Sequence, residues 1–423
     1  MKPGKWLSII GPGVLVAATG VGAGDLATAS FTGAELGLGI LWAVVLGAFL
    51  KFVLNEGLTR WQLATGSTLI EGCVQHLGRP AAWLFLAYLL FWSFMVGAAL
   101  MSAVGVTCHA IWPLTGTSVE AAQNDKVIYG AAHSLAAVAL VRWGGFKLFE
   151  KVMAGCIAIM FVVVVATAVA LAPDPADVLR GLTVPVIPKF DAGGLAWTIA
   201  LIGGVGGTVT LLCYGYWIRE EQRSGADDLR ICRIDLATGY GMTAIFGLSM
   251  IVIGSSLGEL PGGGATLIVE IANHLESTFG RGGLVARYAF LAGAWSAVAG
   301  SMLGVWQSVP YLFADLWQLL QGGRPAPVDT HSRGYRGYLY TIATVPILGM
   351  IAGNFQAVQK AYAVVGAAFV PMLAVALLVL NGRSEWVTAR YKNSLVTTLV
   401  LTATLLFFVA AAGMEIYKTL GTS

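Results

Sequence analysis

Residues 17–30 read AATGVGAGDLATAS, and how this stretch is read decides the fold. Three glycines, Gly20, Gly22 and Gly24, surround a single carboxylate, Asp25, inside the first strongly apolar run of the chain. Glycine costs a helix about 1 kcal/mol relative to alanine, so an apolar helix entering this stretch is expected to unwind and resume beyond Asp25. Unwound backbone at membrane depth persists only where protein or water satisfies its polar groups. The composition places the stretch at such a depth. Of 423 residues, 57% are hydrophobic and 11% charged, whereas a soluble domain carries about 25% charged residues. An all-α polytopic membrane protein is the expected class.

Eleven spans are expected, at roughly 7–35, 39–64, 80–111, 126–142, 147–172, 192–218, 233–258, 283–317, 335–353, 356–380 and 393–416. The basic start followed by an apolar run imitates a signal peptide, but the apolar character resumes past Asp25 and retention as a first span is simpler. The connection after span 7 has room for a short interfacial helix, and the one after span 8 is a polar loop rich in Pro and Gly. No separate soluble domain is indicated. With the N-terminus inside, seventeen Lys and Arg fall on the inner side and seven on the outer, with Lys51 left over within span 2. That bias predicts a cytoplasmic N-terminus, an outer C-terminus and residence in the inner (plasma) membrane. Five cysteines without CxxC spacing give no disulfide framework or zinc site, and a net charge of +3 gives no reason to expect a nucleic-acid partner.

A second glycine cluster interrupts span 6. LIGGVGGTVTLLCYGYW, residues 201–217, carries Gly203, Gly204, Gly206 and Gly207 near its middle. Each interrupted span opens a block of five, and paired broken helices in two halves are the best sequence pointer to a transporter site.

The stretch 11–46 (GPGVLVAATGVGAGDLATASFTGAELGLGILWAVVL), together with LATGSTL (63–69), RIDLATGYG (233–241) and GAWSAVAGSMLGVWQ (293–307), resembles the Nramp family of proton-coupled divalent-metal transporters. The resemblance implies a LeuT-like fold that works by alternating access. Two inverted five-helix repeats, about 7–172 and 192–380, would be followed by one extra helix, about 393–416. The family's ligands do not carry over. Its helix-1 Asp-Pro-Gly-Asn corresponds to Gly22-Ala23-Gly24-Asp25, so its metal-binding aspartate position is Gly22. Its helix-6 Ala-Thr-Val-Met-Pro-His corresponds to Gly207-Thr208-Val209-Thr210-Leu211-Leu212, and a helix-10 glutamine corresponds to Phe369. Thioether sulfur favours softer ions and hydroxyls do not, so the change to Thr210 removes that selectivity.

Asp25 is the only candidate metal ligand, a thin charge complement for a dication in a hard oxygen set. Its other expected role is to cap the second half-helix by accepting from the N–H groups of Ala27 or Thr28. Lys51 and Asp25 both lie about 17 Å below the outer edge, at 1.5 Å per residue, which makes them a plausible charge pair. Snorkelling or another partner for Lys51 is the alternative. Glu56 and Arg60, four apart, are expected to face each other as a structural pair or an inner gate. Asp235, beside Arg233, and Asp315 read as helix-end residues. Span 3 has no carboxylate where the family's proton route uses acids, and His109 at its outer end has no evident relay role. Trp295, Trp306 and Gln307 are candidate cavity lining.

The expected function is secondary transport at a site formed by Gly22, Ala23, Asp25, Gly207, Thr208, Thr210 and Tyr214, with Asp25, Lys51 and Glu56 carrying charge or coupling. A glycine-lined, hydroxyl-rich site suits a small neutral or zwitterionic solute or a hard cation, with protons as a candidate coupling ion. Proton-coupled uptake of Mn, Fe or Mg is the alternative, and a non-transporting membrane sensor or structural protein is a third. No cofactor motif and no nucleophile–base constellation point to an enzyme.

Overall fold

A computed structural model describes residues 11–22, 24–190, 193–225, 227–257 and 267–421. The N-terminal lysines, the expected first residues of spans 1 and 6, Ala23, and positions 258–266 of the connection after span 7 lie outside the described residues. Eighteen α-helices are found among the described residues.

Span 1 divides into α1 (Pro12–Gly20) and α2 (Ala29–Leu36), separated by a wider helical turn at Gly24–Thr28. Pro12 suits the first turn of α1, where its missing N–H costs nothing. Gly37, at φ +66°, turns the chain into α3 (Leu41–Thr65), which is span 2. A capping box between Thr68 and Glu71 then starts the short α4 (Leu69–Leu77). Spans 3, 4 and 5 are α5 (Arg79–Ile111), α6 (Val119–Trp143) and α7 (Gly145–Ala170), followed by α8 (Pro175–Thr183).

The second half repeats this order. Span 6 divides into α9 (Gly194–Gly204) and α10 (Cys213–Glu220), with α11 (Asp228–Ser255) as span 7. A short helix does form in the following connection, α12 (Leu267–Thr278). Span 8 is α13 (Gly283–Leu320). Span 9 is divided at Pro346 into α14 (Arg333–Thr344) and α15 (Ile347–Ala352). Span 10 is α16 (Phe355–Ala367) and α17 (Phe369–Leu380), and α18 (Leu395–Gly421) is the last.

Eight helical stretches among the described residues are long and apolar enough to cross a membrane, fewer than the eleven expected spans. The difference has a physical reason. α1 is only nine residues long, α6 carries Glu120, Asp125 and Lys126 in its first turns, and α14–α15 is interrupted. α2 and α3 also form one continuous stretch by that measure.

The core is assembled around the two broken spans. α11 lies against both α1 and α2, and small residues permit the approach: a Cβ at Gly239 would meet the Gly13 carbonyl, and one at Gly254 the backbone of Ser30. α1 and α9 are almost entirely buried. Leu84, Phe91, Val162, Val169, Leu399 and Leu406 stand exposed on the outside, the arrangement expected of lipid-facing helices.

Candidate functional site

The two breaks meet backbone to backbone. α1 ends at Gly20, and a Cβ there would sit 2.7 Å from the carbonyl carbon of Gly206 and 3.0 Å from the nitrogen of Gly207. α9 ends at Gly204, and the chain passes Gly206 and Gly207 at φ +75° and +83° before re-entering helical turns at Val209. Only glycine adopts two such angles in succession without strain. The sequence clusters thus do two jobs here: they terminate both helices and let the terminated ends touch.

Each break exposes backbone groups, and two buried charges answer them. The Lys51 ammonium, fully buried on α3, donates to the carbonyl oxygens of Gly203, at 2.7 Å, and Gly207. It thereby satisfies carbonyls at the negative end of the α9 dipole. The Asp25 carboxylate, equally buried, accepts from the Gly206 N–H at 3.3 Å through Oδ2. Its Oδ1 has no partner among the described residues. No direct Asp25–Lys51 ion pair is found among them either. The two charges share a stretch of backbone, each complementing the other's field through it. The cap on Ala27 or Thr28 does not form, because Asp25 lies inside the Gly24–Thr28 turn and its carboxylate reaches across to the other break.

Gly22 has no room for a side chain. A Cβ there would run into Ser301 Oγ and Cβ and come within 3.3 Å of Leu100 Cδ2. Ser301 is itself held, donating to the Thr19 carbonyl at 2.7 Å. Sequence reading did not single out Ser301; its sole signal was its place in the 293–307 stretch.

Among the other expected site residues, Thr208 accepts from Trp92 Nε1 at 2.8 Å, and the Thr210 hydroxyl is tucked beneath Gly207. Ala23 lies outside the described residues. Tyr214 goes elsewhere: its hydroxyl donates to Asp235 Oδ2 at 3.0 Å, away from the Asp25–Lys51 group. Asp235 also accepts from the Gly13 N–H at 2.9 Å and from Arg223 at 3.0 Å, so it ties α1 and α10 to α11. Asp315 takes the Tyr216 hydroxyl and the Thr68 hydroxyl, and Glu71 takes Arg219 at 3.1 Å. Asp235 and Asp315, which read as helix-end residues, are therefore straps on the half-helices.

Glu56 faces Arg60 at 2.8 Å as expected and adds Arg233 at 2.7 Å. Arg60 continues to the Tyr391 carbonyl and Asn393, so Glu56 belongs to an ionic knot joining α3, α11 and the segment leading into α18. His109 is bound to Asp125 at 2.7 Å. Trp306 donates to Ser134, Trp295 to His133, and Phe369 stacks on Tyr88 with ring centroids 6.2 Å apart. Of the three candidate lining residues in α13, Gln307 borders a cleft. No group of three metal-binding side chains is found among the described residues.

Residues 13–418 match the sequence profile of the natural resistance-associated macrophage protein-like (Nramp) family. A divalent metal cation transporter MntH of Yersinia enterocolitica is 25% identical over 329 residues, 74% of this chain and 75% of that protein. The MntH of Chromohalobacter salexigens is 22% identical over 60% of this chain, which spans only 58% of that relative's length. In three dimensions a mutant of the Eremococcus coleocola manganese transporter superposes with a TM-score of 0.74 at 14% identity, over 98% of this chain and 88% of that one. MhsT in complex with L-phenylalanine superposes with a TM-score of 0.66 at 15% identity, over 96% and 98% of the two chains.

Proposed function

The chain belongs to the Nramp family, and from that premise we propose that it is a secondary transporter whose substrate is a small neutral or zwitterionic solute. The fold is LeuT-like, all-α and membrane-embedded, and the family is one of transporters. The observation that carries the proposal is the seat of Lys51. Its ammonium is hydrogen-bonded to the Gly203 and Gly207 carbonyls, the oxygens that the second break would offer to an incoming cation. A dication entering there would have to displace that ammonium or sit beside it, where like-charge repulsion is weakly screened at low dielectric. Gly22 supports the same reading, since Ser301 fills the space a ligating side chain would need.

In this reading the substrate site lies between the breaks, among Gly22, Asp25, Gly207, Thr208 and Thr210. A zwitterion's carboxylate would meet N–H groups and the Lys51 charge; its ammonium would meet Asp25 Oδ1. The same fold accommodates L-phenylalanine in MhsT. Transport follows alternating access, with repeats at about 7–172 and 192–380 rocking about the breaks, an extra helix at about 393–416, a cytoplasmic N-terminus and an outer C-terminus. The straps on Tyr214, Tyr216 and Arg219 hold α10 and must release for opening at that end.

Proton-coupled uptake of a divalent metal is the second reading. It is favoured by the relatives' activities and by Asp25 Oδ1, a buried acceptor with no partner among the described residues. Ligand-induced stabilisation separates the two. A panel of free amino acids should raise the unfolding midpoint of the purified protein while Mn²⁺ and Mg²⁺ leave it unchanged; the reverse pattern selects the metal.

A further inference from the structure

Where α6 hands over to α7, a cleft of about 220 Å³ opens beside α13. Drug-sized sites run to roughly 300–1,000 Å³, so this one is sized for a small group. No carboxylate lines it. The polar groups that do are donors or amphoteric, and Arg142 and Gln307 keep donors that no described protein group takes. Arg142 donates through Nε to the Tyr340 hydroxyl at 3.2 Å, while its two terminal nitrogens have no partner among the described residues. The Gln307 amide accepts from Trp217 Nε1 through its oxygen, leaving its nitrogen as donor. The hydroxyls of Tyr311 and Thr330 add to these, while the Tyr335 hydroxyl, also in the lining, donates to the Gln307 carbonyl at 2.9 Å.

His331 adds a donor of defined tautomer. Its Nδ1 is bonded to Arg336, whose guanidinium can only donate, so the ring proton sits on Nε2. Asp329, the acid nearest in sequence, is engaged with the His331 backbone N–H at 2.8 Å. One wall of the cleft is apolar, formed by Val141, Phe146 and Phe149. Convergent donors, an Arg fork and a lining without a carboxylate are the chemistry of phosphate recognition.

We propose that this cleft binds a phosphate-bearing anion, whether free or as a phospholipid headgroup. The bound group would sit two contacts from α10: Tyr311 packs on Tyr216 with centroids 5.9 Å apart, and Gln307 holds Trp217. Occupancy would thus brace the half-helix that the straps also hold.

The test uses the full-length chain in nanodiscs. Inorganic phosphate is titrated at constant ionic strength against chloride, and phosphatidylglycerol discs are compared with phosphatidylcholine discs, with the unfolding midpoint as readout. A rise with phosphate assigns the free anion, and a rise with phosphatidylglycerol alone assigns the headgroup; each supports the site. In both Arg142→Gln and His331→Gln the apparent affinity should fall about tenfold, the scale of a lost charge-assisted bond. His331 lies in an exposed connection, so its variant keeps the test valid if Arg142→Gln fails to fold. No rise with either probe, or a rise undiminished in both variants, overturns the site.

Discussion

Asp25 and Lys51 meet through the backbone of the second helix break and not through each other: the carboxylate takes the Gly206 N–H and the ammonium takes the carbonyls on either side of it. A break in a membrane helix frees donors and acceptors that lipid cannot satisfy, and unmet groups there cost several kcal/mol. Here one acid and one base answer both kinds, so each charge stabilises the break and offsets the other's burial.

Lys51→Met keeps the buried hydrocarbon but removes the ammonium. It should destabilise the protein by about 3–5 kcal/mol, because Asp25 then stays buried without its complement. Asp25→Asn in the same background should restore part of the loss, giving a double-mutant cycle clearly short of additivity. Additive losses, measured by unfolding in detergent, would mean that the two residues are independent.

Gly22→Asp should cost about 1–3 kcal/mol through overpacking against Ser301 and should confer no Mn²⁺ binding. The pair Gly22→Asp with Ser301→Gly should recover stability, and only with Lys51→Met added should it gain measurable metal binding by calorimetry. Equal stability of the single and double variants would show that Ser301 does not close the position.

Asp235→Asn weakens a strap shared by Gly13, Tyr214 and Arg223. In a background lacking Cys73, Cys108 and Cys156, it should speed thiol labelling of the buried Cys213 and Cys232 by about tenfold, the effect of about 1.4 kcal/mol on an opening equilibrium. Unchanged labelling would place the strap outside the opening motion.

His76 stacks on Trp386 with centroids 4.0 Å apart, and desolvation, with the Arg383 charge, lowers its pKa below the usual imidazole value. The folded form therefore favours the neutral ring. Its contribution to stability is present above the unfolded-state value and is lost as pH falls through it towards the lower folded value. His76→Gln should flatten the stability profile in that window relative to the wild type, and an identical slope in both proteins would contradict this.

The breaks themselves were legible, because glycines at 20, 22 and 24 and at 203, 204, 206 and 207 interrupt otherwise apolar helices. Equal depth brought Asp25 and Lys51 to one level, but the carbonyls that hold Lys51 are backbone groups, which no residue pattern displays. For the same reason the capping role of Asp25 misled: a carboxylate inside a wide turn bonds to whatever N–H lies across from it, here Gly206. Tyr214 bonds to Asp235 on α11, because the direction of side chains along α10 depends on where the helix restarts after Val209–Leu212. The contacts of Ser301 with Gly22 and of Gln307 with Trp217 come from long-range packing, which the local sequence does not display.

The most direct measurement of whether Lys51 occupies the place of a cation is Mn²⁺ uptake by the wild-type protein in proteoliposomes, with and without a pH gradient. The predicted result is flux no greater than in protein-free liposomes under both conditions. Robust Mn²⁺ flux that is abolished by Asp25→Asn would contradict it and make the buried carboxylate a metal ligand.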